Sequence, residues 1–181
     1  MHFFAFVPLV LSVSTIMAQT PSFTLRSSDL GGQATEREVF NGFGCTGENI
    51  SPSLNWSNAP AGTKSFAITL YDPDAPTGSG WWHWVVFDIP AEVTDLPAGA
   101  GTPGKPGMPE AAVQSLTDYG NTGYGGPCPP KGHGPHRYIL TIHALDVAKL
   151  GLDANTSAPM AGFNIGAHTL AKASLIFYHE R

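Results

Sequence analysis

The run Ser65–Pro90, "SFAITLYDPDAPTGSGWWHWVVFDIP", decides the fold. Ser65–Asp72 is rich in β-branched and aromatic residues, the composition of a largely buried strand. Pro73 has no N–H to give to a ladder and ends that strand. Gly78-Ser79-Gly80 is turn chemistry, and "WVVFDIP" beyond it is a second apolar run, so the two pair as a hairpin-like unit. Working outward, Phe23–Leu25 ("FTL"), Arg137–Leu145 ("RYILTIHAL") and Ser174–His179 ("SLIFYH") read as further strands. They are separated by Gly/Pro loops, "SNAPAGT", "PAGAGTPGKPGMP" and "GGPCPPKGHGP". Helix signals are few: Asn164–Ala173 ("NIGAHTLAKA") is the best, and Asp146–Leu150 offers one short turn. Val93–Gln114 is a long Gly/Pro-rich excursion, of a length at which loops are more often functional or draped over a site than slack. The expected architecture is mostly β, an antiparallel β-sandwich with one or two short helices, in one domain over residues 19–181.

Composition narrows the function. Of 181 residues only 13% are charged, against about 25% in ordinary domains. The formal net charge is −5 and no Lys/Arg cluster occurs, so the electrostatic footprint of a nucleic-acid binder is missing. An anionic ligand would have to be held by local donors against the global field. Phe3–Met17 is almost wholly apolar and Ala18 offers a small residue for cleavage, so residues 1–18 read as a secretory signal peptide, too short for a membrane span. The expected location is periplasmic or secreted, and the chain is not expected to be an integral membrane protein. In an oxidising compartment Cys45 and Cys128 read as one disulfide, worth ~4 kcal/mol in the chain-entropy model; two buried free thiols are the alternative.

Strand periodicity gathers the chemistry. In "HRYIL" the side chains of His136, Tyr138 and Leu140 share one face, and Arg137 and Ile139 the other. In "WHWVVF" the same alternation puts His83, Val85 and Phe87 on one face and Trp82, Trp84 and Val86 on the opposite one. Asp72 closes its strand. If these strands are neighbours, Asp72, His83, His136 and Tyr138 meet at one rim, completed by Gly125–Pro135, whose Pro129 and Pro130 stiffen it. A carboxylate beside an imidazole orients it and favours the imidazolium. Two histidines and a phenol would then donate to a small anion such as a phosphate ester, with the aromatic wall taking an attached tail. Asp74 beside Pro73 reads as a turn cap, the tryptophans as core and wall, His133 as exposed and passive, and His143, Lys131 and Arg137 as structural or solvated. Asp72, His83 and His136 could make a two-His, one-carboxylate set, but no H-x-H, H-E-x-x-H or C-x-x-C spacing supports it, so neither a metal nor another cofactor is expected. No G-x-S-x-G nucleophile motif or phosphate-cradling G-x-x-x-x-G-K-[ST] loop is present.

"DPDAPTGSGWWHWVVFDIP" and "YGGPCPPKGHGPHRY" resemble the two signature regions of the phosphatidylethanolamine-binding protein family. "CTGENISPSLNWSNAPAGTKSFAITLYDPDAP" and "ASLIFYHER" are similar to the opening and closing segments of its bacterial Raf-kinase-inhibitor-like branch. The resemblance runs from about Phe23 to the C-terminus. It implies a β-sandwich with a small anion pocket between strand ends, formed here by Asp72, His83, Pro130, His136 and Tyr138, with Asp74 structural. The chain ends just after "IFYHER", so the C-terminal helix that borders the pocket in animal members is not expected. The expectation is an exported, non-enzymatic protein binding a small anionic or phosphorylated ligand. The alternatives are a module inhibiting a kinase or protease through residues 93–114, and a phosphoester hydrolase acting through Asp72 and His136. The sequence leaves a homodimer open.

Overall fold

The computed structural model describes residues 21–181; the expected signal peptide, residues 1–18, lies outside the described residues. The strands form where β-branched and aromatic residues gather. They are β1 (Thr24–Arg26), β2 (Asn41–Gly42), β3 (Cys45–Thr46), β4 (Leu54–Ser57), β5 (Ser65–Asp72), β6 (Trp81–Pro90), β7 (Asp95–Leu96), β8 (Val113–Gln114), β9 (His136–Leu145) and β10 (Thr169–His179), with one helix, α1 (Ala158–His168). A five-stranded sheet, ordered β10-β9-β5-β6-β8, faces a three-stranded sheet, β1-β4-β7; β2 and β3 make a separate hairpin. All pairings between these strands are antiparallel. The expected antiparallel sandwich is the fold observed.

Burial of one face of each sheet makes the main core. Leu25, Leu54 and Trp56 of the small sheet pack against Phe66, Ile68, Leu70, Trp84, Val86, Leu140 and Ile142 of the large one. The other face of the large sheet presents Ala67, Val85, Phe87 and Leu145 to Ala158, Ala161 and Ile165 of α1. The helix differs from the one expected at Asn164–Ala173. It starts earlier, at Ala158 after an extended Ser157, with Pro159 in a first turn that needs no N–H from it. It ends at His168, and Thr169–Ala173 is strand. Ala171, Lys172 and Ala173 pair with Ala144, His143 and Ile142 of β9, so sheet pairing overrides their helix propensity. Asp146–Leu150 forms bends rather than a helical turn.

The excursion Val93–Gln114 is anchored at both ends, by β7 in the small sheet and β8 at the edge of the large one. Its middle is held too: a Cβ on Gly101 would collide with the Trp84 indole, whose Nε1–H donates to Gln114 Oε1 at 2.7 Å.

The alternation expected in β6 holds only in part. Leu70 pairs with Trp84 but Tyr71 with Trp82, so one residue of β6, His83, is extra at that point. This β-bulge puts Trp82 on the helix-facing side with Val85 and Phe87, while His83 turns toward Tyr138, ring centroids 5.1 Å apart, on the side of the main core. His83 therefore does not share a face with Val85 and Phe87. A second irregularity, with Asp88 at φ 58°, brings Val86 and Ile89 to one side.

Candidate functional site

Topology brings the polar residues together. β5 lies between β9 and β6 and is antiparallel to both, so its last residue, Asp72, stands beside the first residues of its two neighbours. Those are His136 and Tyr138 on β9 and Trp81 and His83 on β6. All five line one cavity of about 200 Å³, together with Phe43, Tyr119, Cys128, Pro129, Pro130 and the Ala75–Thr77 turn. Every residue expected at the rim is thus beside the same cavity: Asp72, His83, His136 and Tyr138 buried, Pro130 exposed at its lip.

Asp72 and His136 form a buried pair, 3% and 2% exposed. His136 Nδ1 lies 2.7 Å from Asp72 Oδ2, and since a carboxylate only accepts, that nitrogen carries the proton. Asp72 Oδ1 accepts the Asp74 N–H at 2.8 Å. Both carboxylate oxygens are therefore engaged, and Asp72 acts on a guest through the ring it orients. Asp74 is structural: it takes the Arg137 guanidinium on both oxygens, at 2.7 and 2.9 Å, and that hydrogen-bonded guanidinium holds its carboxyl at about 2.

His83 behaves differently from the cationic donor expected of it. Its Nδ1 lies 2.9 Å from Gly125 O and 3.2 Å from Gly126 O, so that nitrogen carries the hydrogen. Burial holds the ring down at about 4, with the two carbonyls and Asp72 opposing. At neutral pH His83 is uncharged and its Nε2 is an acceptor. His136, whose Nδ1 is held by Asp72, is left with Nε2 as its second ring nitrogen. The carbonyl shelf is itself fixed: Asn49 Oδ1 accepts the Gly126 N–H at 2.8 Å, and a Cβ on Gly126 would collide with the Glu38 carbonyl.

Two buried donors of residues that line the cavity have no partner among the described residues, the Tyr138 hydroxyl and the Trp81 indole N–H. Burial raises the Tyr138 phenol, with Asp72 adding to it, and does the same for Tyr119, so both stay protonated. Cys45 and Cys128 form the expected disulfide. It ties the β2–β3 hairpin to the Pro127–Pro130 segment and so places Phe43, 69% exposed at φ 52°, at the cavity mouth.

Some residues of this wall have no sequence signal strong enough to find them. Tyr119 lies in a turn-rich loop; it stacks on Phe40 at 4.1 Å and donates to Gly126 O at 2.9 Å. Phe43 is a lone aromatic between glycines. His133 is exposed as expected but is not without a partner, since its Nδ1 sits 2.8 Å from His136 Nε2. The two glycines flanking it were the available hint that this ring can be placed freely. Residues 93–114 do not line the cavity. Among the described residues no three His, Cys, Asp or Glu side chains converge as metal ligands, and no helix is long and apolar enough to cross a membrane.

Comparison with known proteins gives the family of the chain and agrees with its fold. A family model described as phosphatidylethanolamine-binding protein matches residues 31–180. The chain is 48% identical over 176 residues to the UPF0098 protein YbcL of Escherichia coli K12, covering 96% of each chain. It is 54% identical over 153 residues to YbhB of the same organism, covering 83% of this chain and 96% of that one. The crystal structure of E. coli YbcL, described as a new member of the mammalian PEBP family, superposes with a TM-score of 0.86 at 49% identity, covering 88% of this chain and 98% of that one. This chain is a member of the phosphatidylethanolamine-binding protein family.

Proposed function

We propose that the protein is an exported, non-enzymatic binding protein whose cavity holds a small phosphate-bearing ligand of lipid-head-group type, with Asp72, His83, Pro130, His136 and Tyr138 forming the site. The observation that carries this reading is the pair of donors without a partner among the described residues, Tyr138 O–H and Trp81 N–H, on residues that line the cavity with the Asp72-oriented His136. Buried donors without acceptors cost stability, and an oxygen-rich guest supplies what they lack. His136, protonated on the side away from Asp72, adds a charge-assisted donor. Neutral His83 contributes an acceptor, which suits a guest carrying a donor as well as an anion: a singly protonated phosphate or an ethanolamine ammonium. Phe43 and Trp81 give apolar surface for whatever follows the head group. The family's own description, phosphatidylethanolamine-binding, is consistent with that chemistry. Export rests on the N-terminal apolar segment and on the disulfide, a bond at home in an oxidising compartment.

Calorimetry with O-phosphoethanolamine tests the reading. Wild type binds one equivalent, and His136→Ala loses about ten-fold or more in affinity, the loss of one charge-assisted donor. Equal affinity in the two proteins would remove the site.

A further inference from the structure

The ring that closes on this site from outside is His133. It lies between Gly132 at φ 76° and Gly134 at φ 85°, and neither glycine has anything within 4 Å of where a Cβ would stand. The backbone there has room to turn. The His133 N–H bonds Pro130 O at 3.1 Å, which closes the turn and leaves the imidazole exposed over His136. Its Nδ1 is 2.8 Å from His136 Nε2, with ring centroids 5.1 Å apart. Because His136 Nδ1 is committed to Asp72, Nε2 is the nitrogen His136 has for a guest, and His133 occupies it.

A 2.8 Å gap between two ring nitrogens holds one hydrogen. Either His133 donates to a neutral His136, or a charged His136 donates to His133. With a hydrogen on both nitrogens the contact cannot survive, since two N–H groups then face each other. Resting on the anion-binding reading above, the geometry points to His133 as a further ligand-binding residue that caps His136 in the empty pocket and turns its own donor to the anion once the pair has taken up a proton. One proton enters from solvent and resides on His136 Nε2. The Nε2–H then bonds the guest's oxygen in place of His133, and His133, freed at its glycine hinges, donates to the same anion.

The surrounding groups leave the proton count to this pair. From β5, Asp72 accepts the His136 Nδ1–H, and Asp74 is spent on Arg137. From β6, His83 stays neutral down to about 4. Tyr138 on β9 and Tyr119 from its loop remain protonated phenols. From β10, His179, the register partner of His136, is held below the ordinary histidine range by burial. Arg181, whose guanidinium donates to the Phe43 carbonyl at 3.3 Å, adds positive charge near the mouth.

The test uses inorganic phosphate as probe, with EDTA present, at pH 5.5 and pH 8.0, on wild type, His133→Ala and His136→Ala. The ratio of variant to wild-type Kd at each pH cancels the titration of phosphate itself. At pH 5.5 His133→Ala binds about ten-fold more weakly, having lost a donor to the anion. At pH 8.0 it binds as tightly as wild type or a few-fold tighter, having lost the cap, so the ratio falls from about ten to one or below between the two pH values. A ratio that is the same at both would overturn the proposal, whether it shows no effect or a uniform loss. His136→Ala binding like wild type at both pH values would instead overturn the pocket reading, independently of His133. Long-range 1H–15N spectra of the ligand-free protein read the contact directly. Replacing either histidine by Ala should shift the ring nitrogens and titration of the other, and two histidines that titrate with no mutual effect would overturn the cap even if phosphate bound nowhere.

Discussion

Tyr138→Phe removes a single oxygen, and the account requires it to act with opposite sign on stability and on binding. The ring is fully buried, stacked on Phe177 with centroids 5.4 Å apart and set edge-on to His83 at 5.1 Å; phenylalanine keeps both contacts. The hydroxyl has no hydrogen-bond partner among the described residues. Leaving such a group buried and unpaired costs about 1–3 kcal/mol. Its removal should therefore leave the empty protein as stable as before or more stable by about 1 kcal/mol, a rise in Tm of about 2–4 °C for a chain of this size. In the complex the hydroxyl bonds a charged oxygen, a contact worth about 1.5–3 kcal/mol, so affinity for O-phosphoethanolamine should fall roughly ten- to hundred-fold. Thermal unfolding without ligand and calorimetry with it give the two numbers on one preparation. A Tm lowered by several degrees together with unchanged affinity would refute the reasoning, because it would assign the hydroxyl a structural partner and no guest.

Other consequences follow from the same contacts. Replacing Cys45 and Cys128 by Ser opens a link between residues 83 apart and should cost about 4 kcal/mol, or about 10 °C in Tm; urea unfolding of the oxidised and mutant proteins checks it, and equal midpoints would contradict it. His83 and His143 are both held near 4 by burial in the folded chain, whereas unfolded they take protons near 6.5. Their contribution is complete above pH 6.5 and is lost as the pH falls from there to about 4, so urea midpoints should drop between pH 7 and pH 4.5, and less so in His143→Gln. Gly126→Ala should destabilise severely or abolish folding, since its Cβ would meet the backbone of Glu38 and Phe40; a soluble variant with wild-type Tm would show the His83 shelf to be loose. If the site binds without reacting, a panel of phosphoesters should show no turnover above the rate of His136→Ala, with or without divalent metal, and sustained hydrolysis lost in that variant would favour the hydrolase alternative.

Most of this arrangement is legible in the sequence because it is written on strands. Ser65–Asp72 is a strand to the residue, and the period of two correctly puts His136, Tyr138 and Leu140 on one face of β9. Asp72 could be placed because Pro73 marks a strand end, and the site then needs only β5 between β6 and β9. What escaped is what strand periodicity does not govern. His83 faces Tyr138 because of a bulge, and an inserted residue reverses every later face. Its role as a neutral acceptor depends on two carbonyls 42 and 43 residues away. Tyr119, Phe43 and His133 reach the site from loops, where spacing carries no facing information. The helix ends before "TLAKA" although that stretch has good local helix propensity, because pairing with β9 turns it into strand.

The central claim is that the cavity between Asp72, His83, His136 and Tyr138 accepts a phosphate-bearing anion. Crystals soaked in phosphate test it most directly. The account predicts tetrahedral density inside that cavity, within hydrogen-bonding distance of His136 Nε2 and the Tyr138 hydroxyl, with the His133 ring displaced from His136. A cavity empty at saturating phosphate, with His133 still against His136, would contradict it.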